Sequence, residues 1–115
     1  MFVPHPFAYL FLKLNALSDG ITDQRKAEKA PKHAFDIYRI VAMTTEFEWK
    51  ESLDLAQKEE KHNEFIKASE IVSRRFVGDN PEGVRLIRSY SKEPLEPDTN
   101  ALIEDLKELF LRGES

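Results

Sequence analysis

Apolar residues recur along the chain at helical spacing, and the first run is the densest. Phe7, Leu10, Phe11, Leu14 and Leu17 follow the three- and four-residue steps that place side chains on one face of an α-helix, with Pro6 suited to a first helical position. Ala8, Tyr9, Leu12 and Ala16 fill much of the other side. A helix apolar nearly all round belongs at a centre or under a partner, and Ser18-Asp19-Gly20 predicts its end through a glycine able to take positive φ. Ile21 to Ala30 is charged and punctuated and reads as a connection with room for one short turn of helix. A second helix follows from Pro31 to about Met43-Thr44, with Ala34, Phe35, Tyr38, Val41 and Ala42 on one face and Ile37 and Ile40 widening the stripe.

Thr45 followed by Glu48 forms a capping box that opens a third helix, Glu46 to about Lys61, with a narrow apolar face of Phe47, Leu53 and Leu55 and with Trp49 anchoring its first turn. Asn63 is the expected cap of a fourth helix carrying Phe65, Ile66, Ser69, Val72 and Phe76 and stopping before Gly78. Asn80-Pro81 opens a fifth, with Val84, Leu86 and Ile87 apolar. Ser91 to Pro97 contains two prolines and reads as a loop. Asp98 or Thr99 then caps a last helix with the stripe Leu102, Ile103, Leu106, Leu109 and Phe110, followed by Gly113. No alternating run suggests a strand and no internal repeat appears. The expected fold class is all-α: one domain over 1–115, a compact bundle of about five to six helices around a central antiparallel hairpin.

Composition changes this picture only by exclusion. A chain of 115 residues with 17 basic and 21 acidic side chains carries a net charge of −4, which argues against a broad face that grips nucleic acid phosphates. The absence of cysteine removes disulfides and thiolate zinc sites and points to a cytoplasmic location, and the longest apolar run, Phe7 to Leu12, is too short to span a bilayer, so no membrane partner is expected.

Against this background two charges stand out: Lys13 on the first helix and Asp36 on the second, each among apolar neighbours. Burying either alone costs several kcal/mol, roughly, so each calls for a partner. At about 1.5 Å per residue, Lys13 lies about 9 Å before the end of its helix and Asp36 about 7.5 Å into the next. An antiparallel hairpin brings them to one height. Such a pair can position phosphates, organise a metal-bound nucleotide or move protons, and it can equally be a structural bridge, with Lys32 and Arg39 competing for Asp36 from one turn away.

The segments Leu12-Lys13-Leu14-Asn15-Ala16-Leu17 and Lys32-His33-Ala34-Phe35-Asp36-Ile37-Tyr38-Arg39-Ile40, with the aspartate 23 positions after the lysine, resemble the helical part of nucleotidyltransferase-like proteins of the abortive-infection (AbiEii-type) toxin family. The likeness is best over Pro6 to Trp49 and loose from Glu51 to Ser115. It implies that Lys13 and Asp36 match the family's nucleotide-site lysine and its partner aspartate, which makes them the candidate catalytic residues. His33 and Arg39, one turn to either side of Asp36, are the candidate cofactor-binding residues. The family also needs a glycine-serine loop for the triphosphate and paired acidic residues for divalent metal, and this chain has neither a Gly-Ser dipeptide nor an Asp-x-Asp motif. The resemblance therefore points to the C-terminal helical portion of such a protein, a fragment, shortened relative or separate half. Such a portion is inactive alone, and Mg2+ and nucleoside triphosphate are implied only for a complete member.

Other signals are weaker. His5, His33 and His62 lack metal-ligand spacing, and no metal site is expected. Arg74, Arg75, Arg85 and Arg88 form a candidate patch for phosphate or RNA, while Gln57 to Lys61 reads as a solvated helix surface. Two functions follow as expectations. One is a helical module that contributes Lys13 and Asp36 to a nucleotide site completed by a catalytic nucleotidyltransferase half. The other is a non-enzymatic interaction protein, homo-oligomeric or hetero-oligomeric, in which the same two residues form a structural ion pair.

Overall fold

The computed structural model describes residues 5–79, 81–90 and 98–111, and the chain they form is an all-α bundle. Its elements are α1 (Pro6–Thr22), a 3-10 segment (Gln24–Lys29), α2 (Ala30–Met43), α3 (Glu46–Glu59), α4 (Asn63–Arg75), α5 (Glu82–Tyr90) and α6 (Thr99–Phe110). The sequence positions at 80, 91–97 and 113, where a helix start, a loop and a terminal glycine are expected, lie outside the described residues.

Helices α1 and α2 form the antiparallel hairpin at the centre. Facing residues step in opposite directions: Gly20 meets Ala30, Lys13 meets Asp36, and Pro6 shares a groove with Met43. Around this hairpin, α3 and α4 pack on α1 while α5 and α6 pack on α2, and α4 with α6 closes the circle. One contiguous core results. Leu10, Leu14 and Leu17 of α1, Ile37 of α2, Val72 and Phe76 of the α4 end, Ile87, and Leu102, Leu106 and Leu109 are all essentially inaccessible. Phe7, Phe11, Phe65 and Phe110 form an aromatic knot joining α1, α4 and α6, with Phe7 and Phe11 edge to face at 4.8 Å.

Several helix ends follow local chemistry. His5 caps α1, its Nδ1 accepting from the Phe7 amide at 3.2 Å, and the Thr45/Glu48 capping box is complete in both directions. Asp98 caps α6 by accepting from the Ala101 amide. Gly78, at φ 107°, occupies the left-handed region beyond α4 that its lack of a Cβ allows.

Other ends and faces differ from the sequence expectation. Helix α1 does not stop at Gly20 but runs to Thr22, and Gly20 serves close approach: a Cβ there would sit 2.9 Å from Ala30 Cβ. The cap position of α4 is His62 and Asn63 is already helical. On α2 the buried line is Ala30, Ala34, Ile37 and Val41, and Ala42 is exposed. On α3 the buried residues are Ser52 and Ala56, while Phe47 points to solvent at 72% exposure. Ile66 is likewise largely exposed, its place in the core taken by Ala68 and Ile71. Among the described residues no helix is long and apolar enough to cross a membrane.

Candidate functional site

The hairpin register decides which polar side chains meet. Lys13 stands on the flank of α1 that faces α2, and Asp36 stands one turn beyond Lys32 on α2. The Lys13 Nζ lies 2.9 Å from Asp36 Oδ2, and Lys32 Nζ approaches the same oxygen at 3.5 Å. The Lys13 and Asp36 side chains retain only 26% and 18% of their exposure. Burial works to raise the Asp36 carboxyl, but the bonded Lys13 ammonium and then Lys32 outweigh it and hold Asp36 below its ordinary value. Asp36 is therefore an ionised anchor near neutral pH, unsuited to taking or giving a proton there. Its chemistry is to orient Lys13.

The pair opens into a groove of about 480 Å³ along the hairpin. Tyr9, one turn before Lys13, and Ile40 and Met43, one and two turns beyond Asp36, give it an apolar wall, with Tyr9 41% and Met43 72% exposed. Arg39 lines the same groove and makes no ion pair among the described residues. Glu48 of α3 stands among the other lining residues, where bonds to Thr45 hold it below the ordinary carboxylate range. Lys13 and Arg39 line the groove with the carboxylates of Asp36 and Glu48 beside an apolar wall, and Lys32 reaches Asp36 without lining the groove. An anionic group with a planar appendage suits that combination.

The four residues singled out in the sequence are thus not equivalent. Lys13, Asp36 and Arg39 come together on the groove, and Arg39 does not pair with Asp36 although one turn separates them; Lys32 does. His33 does not line the groove. Its Nδ1 is buried without a hydrogen-bond partner among the described residues, as is Oδ1 of Asn15, and burial followed by the Lys13 charge lowers the His33 pKa. The arginine patch divides: Arg75 pairs with Glu82, Arg88 donates to Thr99 Oγ1 at 3.4 Å, and Arg74 and Arg85 border different clefts.

Sequence reasoning missed Tyr9 and Met43 as groove residues. The helical step linking Tyr9 to Lys13 and Ile40 and Met43 to Asp36 was the available signal, but only the hairpin register sets those two lines face to face. Among the described residues no three His, Asp or Glu side chains gather to hold a metal ion. Asp36 is a single carboxylate already engaged by two ammonium groups, which would repel Mg2+ and leave it no free donor set there. Compared with known proteins, the chain matches no family model, no curated protein and no solved structure.

Proposed function

We propose that this chain is a helical module of a nucleotidyltransferase-like protein, and that the α1/α2 groove takes part in holding a nucleotide. The observation that carries the reading is the Lys13–Asp36 contact at 2.9 Å on the rim of a groove that also presents Arg39. In this reading Asp36 fixes Lys13, the cations meet the phosphates, and Tyr9 and Met43 lie against the base. The chain carries no glycine-serine loop and no paired aspartates, so transfer itself belongs to residues supplied elsewhere.

The test is titration of the purified protein with ATP, with and without magnesium, followed by calorimetry and by amide NMR shifts. Binding with shifts on residues 9–13 and 36–43, lost in Lys13→Ala and weakened in Arg39→Ala while circular dichroism stays helical, supports the proposal. No affinity for any nucleoside triphosphate, or nucleotide incorporation by this chain alone, overturns it.

A second reading, a non-enzymatic interaction protein in which Lys13 and Asp36 only bridge two helices, is favoured by the exposure of Leu12, Met43 and Phe47. It requires Lys13→Ala to impair folding or assembly in a protein with no nucleotide affinity.

A further inference from the structure

On the other flank of α1 lies a second groove, about 500 Å³, bounded by α3 and α4. The 100° turn per residue explains how one helix serves two grooves: Pro6, Tyr9 and Lys13 project towards the first, Ala8 and Leu12 towards the second. Phe7, Phe11 and Phe65, whose rings pack in or against the core, line it together with Leu12 of α1 and Leu55 of α3. Leu12 is 63% exposed, a large apolar side chain at the margin of an apolar trough.

The polar residues of this groove carry the information about its occupant. Among the described residues that line it two are polar, Glu59 at the end of α3, whose carboxylate lies 3.6 Å from His62 Nε2, and Glu64 at the start of α4, and none is a lysine or arginine. Both glutamates stand where α3 gives way to α4, so the trough is apolar along α1 and acidic at one end. A second copy of this chain would bring an apolar α1 but its own Glu59 and Glu64 with it, setting like charges near one another. The lining segments Ala8–Leu12 and Leu55–Glu59 each span about one helical turn, roughly 6 Å, which suits two or three side chains from one face of a helix.

We propose that this groove docks an amphipathic helix of another protein, with leucine-like residues on one face and lysines or arginines at the end that meets Glu59 and Glu64. The inference stands on a different face from the nucleotide groove and does not depend on it.

The probe is a pair of synthetic 14-residue helical peptides sharing one leucine stripe, one with terminal lysines and one with terminal glutamates, titrated by fluorescence anisotropy and amide NMR. The lysine peptide is expected to bind the full chain at least about tenfold more tightly than the glutamate peptide, with shifts confined to residues 7–12, 55–59 and 64–65. Leu12→Ser, at an exposed position and so without effect on folding, should weaken it about tenfold, and the double variant Glu59→Lys with Glu64→Lys should invert the preference. Lysine-peptide binding indifferent to Leu12 would reduce the effect to general attraction by a chain of net charge −4 and overturn the proposal. So would shifts elsewhere, no binding, or sedimentation of the protein alone as a dimer that Leu12→Ser dissociates.

Discussion

The α1/α2 hairpin and helix α3 touch each other yet are held by different means. The hairpin is joined by intimate contact: Gly20 against Ala30, Ala34 and Ile37 against the leucines of α1, and an ion pair at its edge. Helix α3 buries only Ser52 and Ala56 and is secured from its margins. Its capping box fixes the first turn, Trp49 Nε1 donates to Glu108 of α6 at 2.8 Å, and His5 Nε2 lies 3.3 Å from Glu51. Close packing lets a helix pair carry a polar site without losing register, because the core, not the charge, sets the geometry. A helix held by caps and edge bonds contributes surface more than stability, and α3 lends side chains to the grooves on both sides of α1, Glu48 to one and Leu55 and Glu59 to the other.

The sharpest way to break this contrast is truncation in each region. Leu14 of α1 is wholly buried, and Leu14→Ala should cost about 2–5 kcal/mol through lost burial and the cavity left behind. Leu53 of α3 is only partly buried against the core, and Leu53→Ala should cost about 1 kcal/mol. Urea unfolding of both variants measures the difference, and equal losses would show that α3 is as integral as the hairpin.

Backbone-level changes sharpen it further. Gly20→Ala gains helix propensity but places a methyl 2.9 Å from Ala30 Cβ and 3.3 Å from the Lys26 carbonyl, so the helices must separate. The net cost should be about 1–2 kcal/mol, and the displaced register should weaken whatever the Lys13 groove binds. Thr45→Ala removes one arm of the capping box and should cost about 1 kcal/mol, with hydrogen exchange increasing in the first turn of α3 alone. Exchange spreading from Thr45→Ala into α1 would contradict the view of α3 as peripheral.

The Gly20 case also shows where sequence reading stops. A glycine after Ser18-Asp19 has two uses, ending a helix through positive φ or admitting a neighbour, and only the partner across the gap, Ala30, decides between them. The same limit applies to α3, where Ser52 and Ala56 give no hydrophobic signal and the conspicuous Phe47 is outside. Where the apolar stripe is broad and regular, as in α6 and along Phe7, Leu10, Leu14 and Leu17, pattern and structure agree. The Lys13–Asp36 contact was legible because helix rise and an antiparallel turn fix relative height with no knowledge of packing. The groove beside it was not, since Tyr9 and Met43 acquire a role only through rotation of one helix against the other.

The smallest expected effect lies at the polar edge of the hairpin. Burial first, then the ammonium of Lys13, pushes the His33 imidazole below its ordinary 6.5; Lys32 and Lys29 add to this, and Asp36 opposes it. In the pH window beneath 6.5 the unfolded chain binds more protons at this position than the folded one, so the stability tied to neutral His33 is present above 6.5 and is lost as pH falls through the folded value. Asp36, also depressed, acts with the same sign but only beneath its ordinary 3.8, whereas Asp105, raised by burial and then by Glu108, acts with the opposite sign above 3.8. Between pH 7 and 5 the wild-type melting temperature should therefore fall more steeply than that of His33→Gln, which retains a polar side chain but cannot charge. Parallel slopes would mean that the buried Nδ1 is solvated once the imidazole ionises, and that the hairpin edge tolerates a third cation beside Lys13 and Lys32.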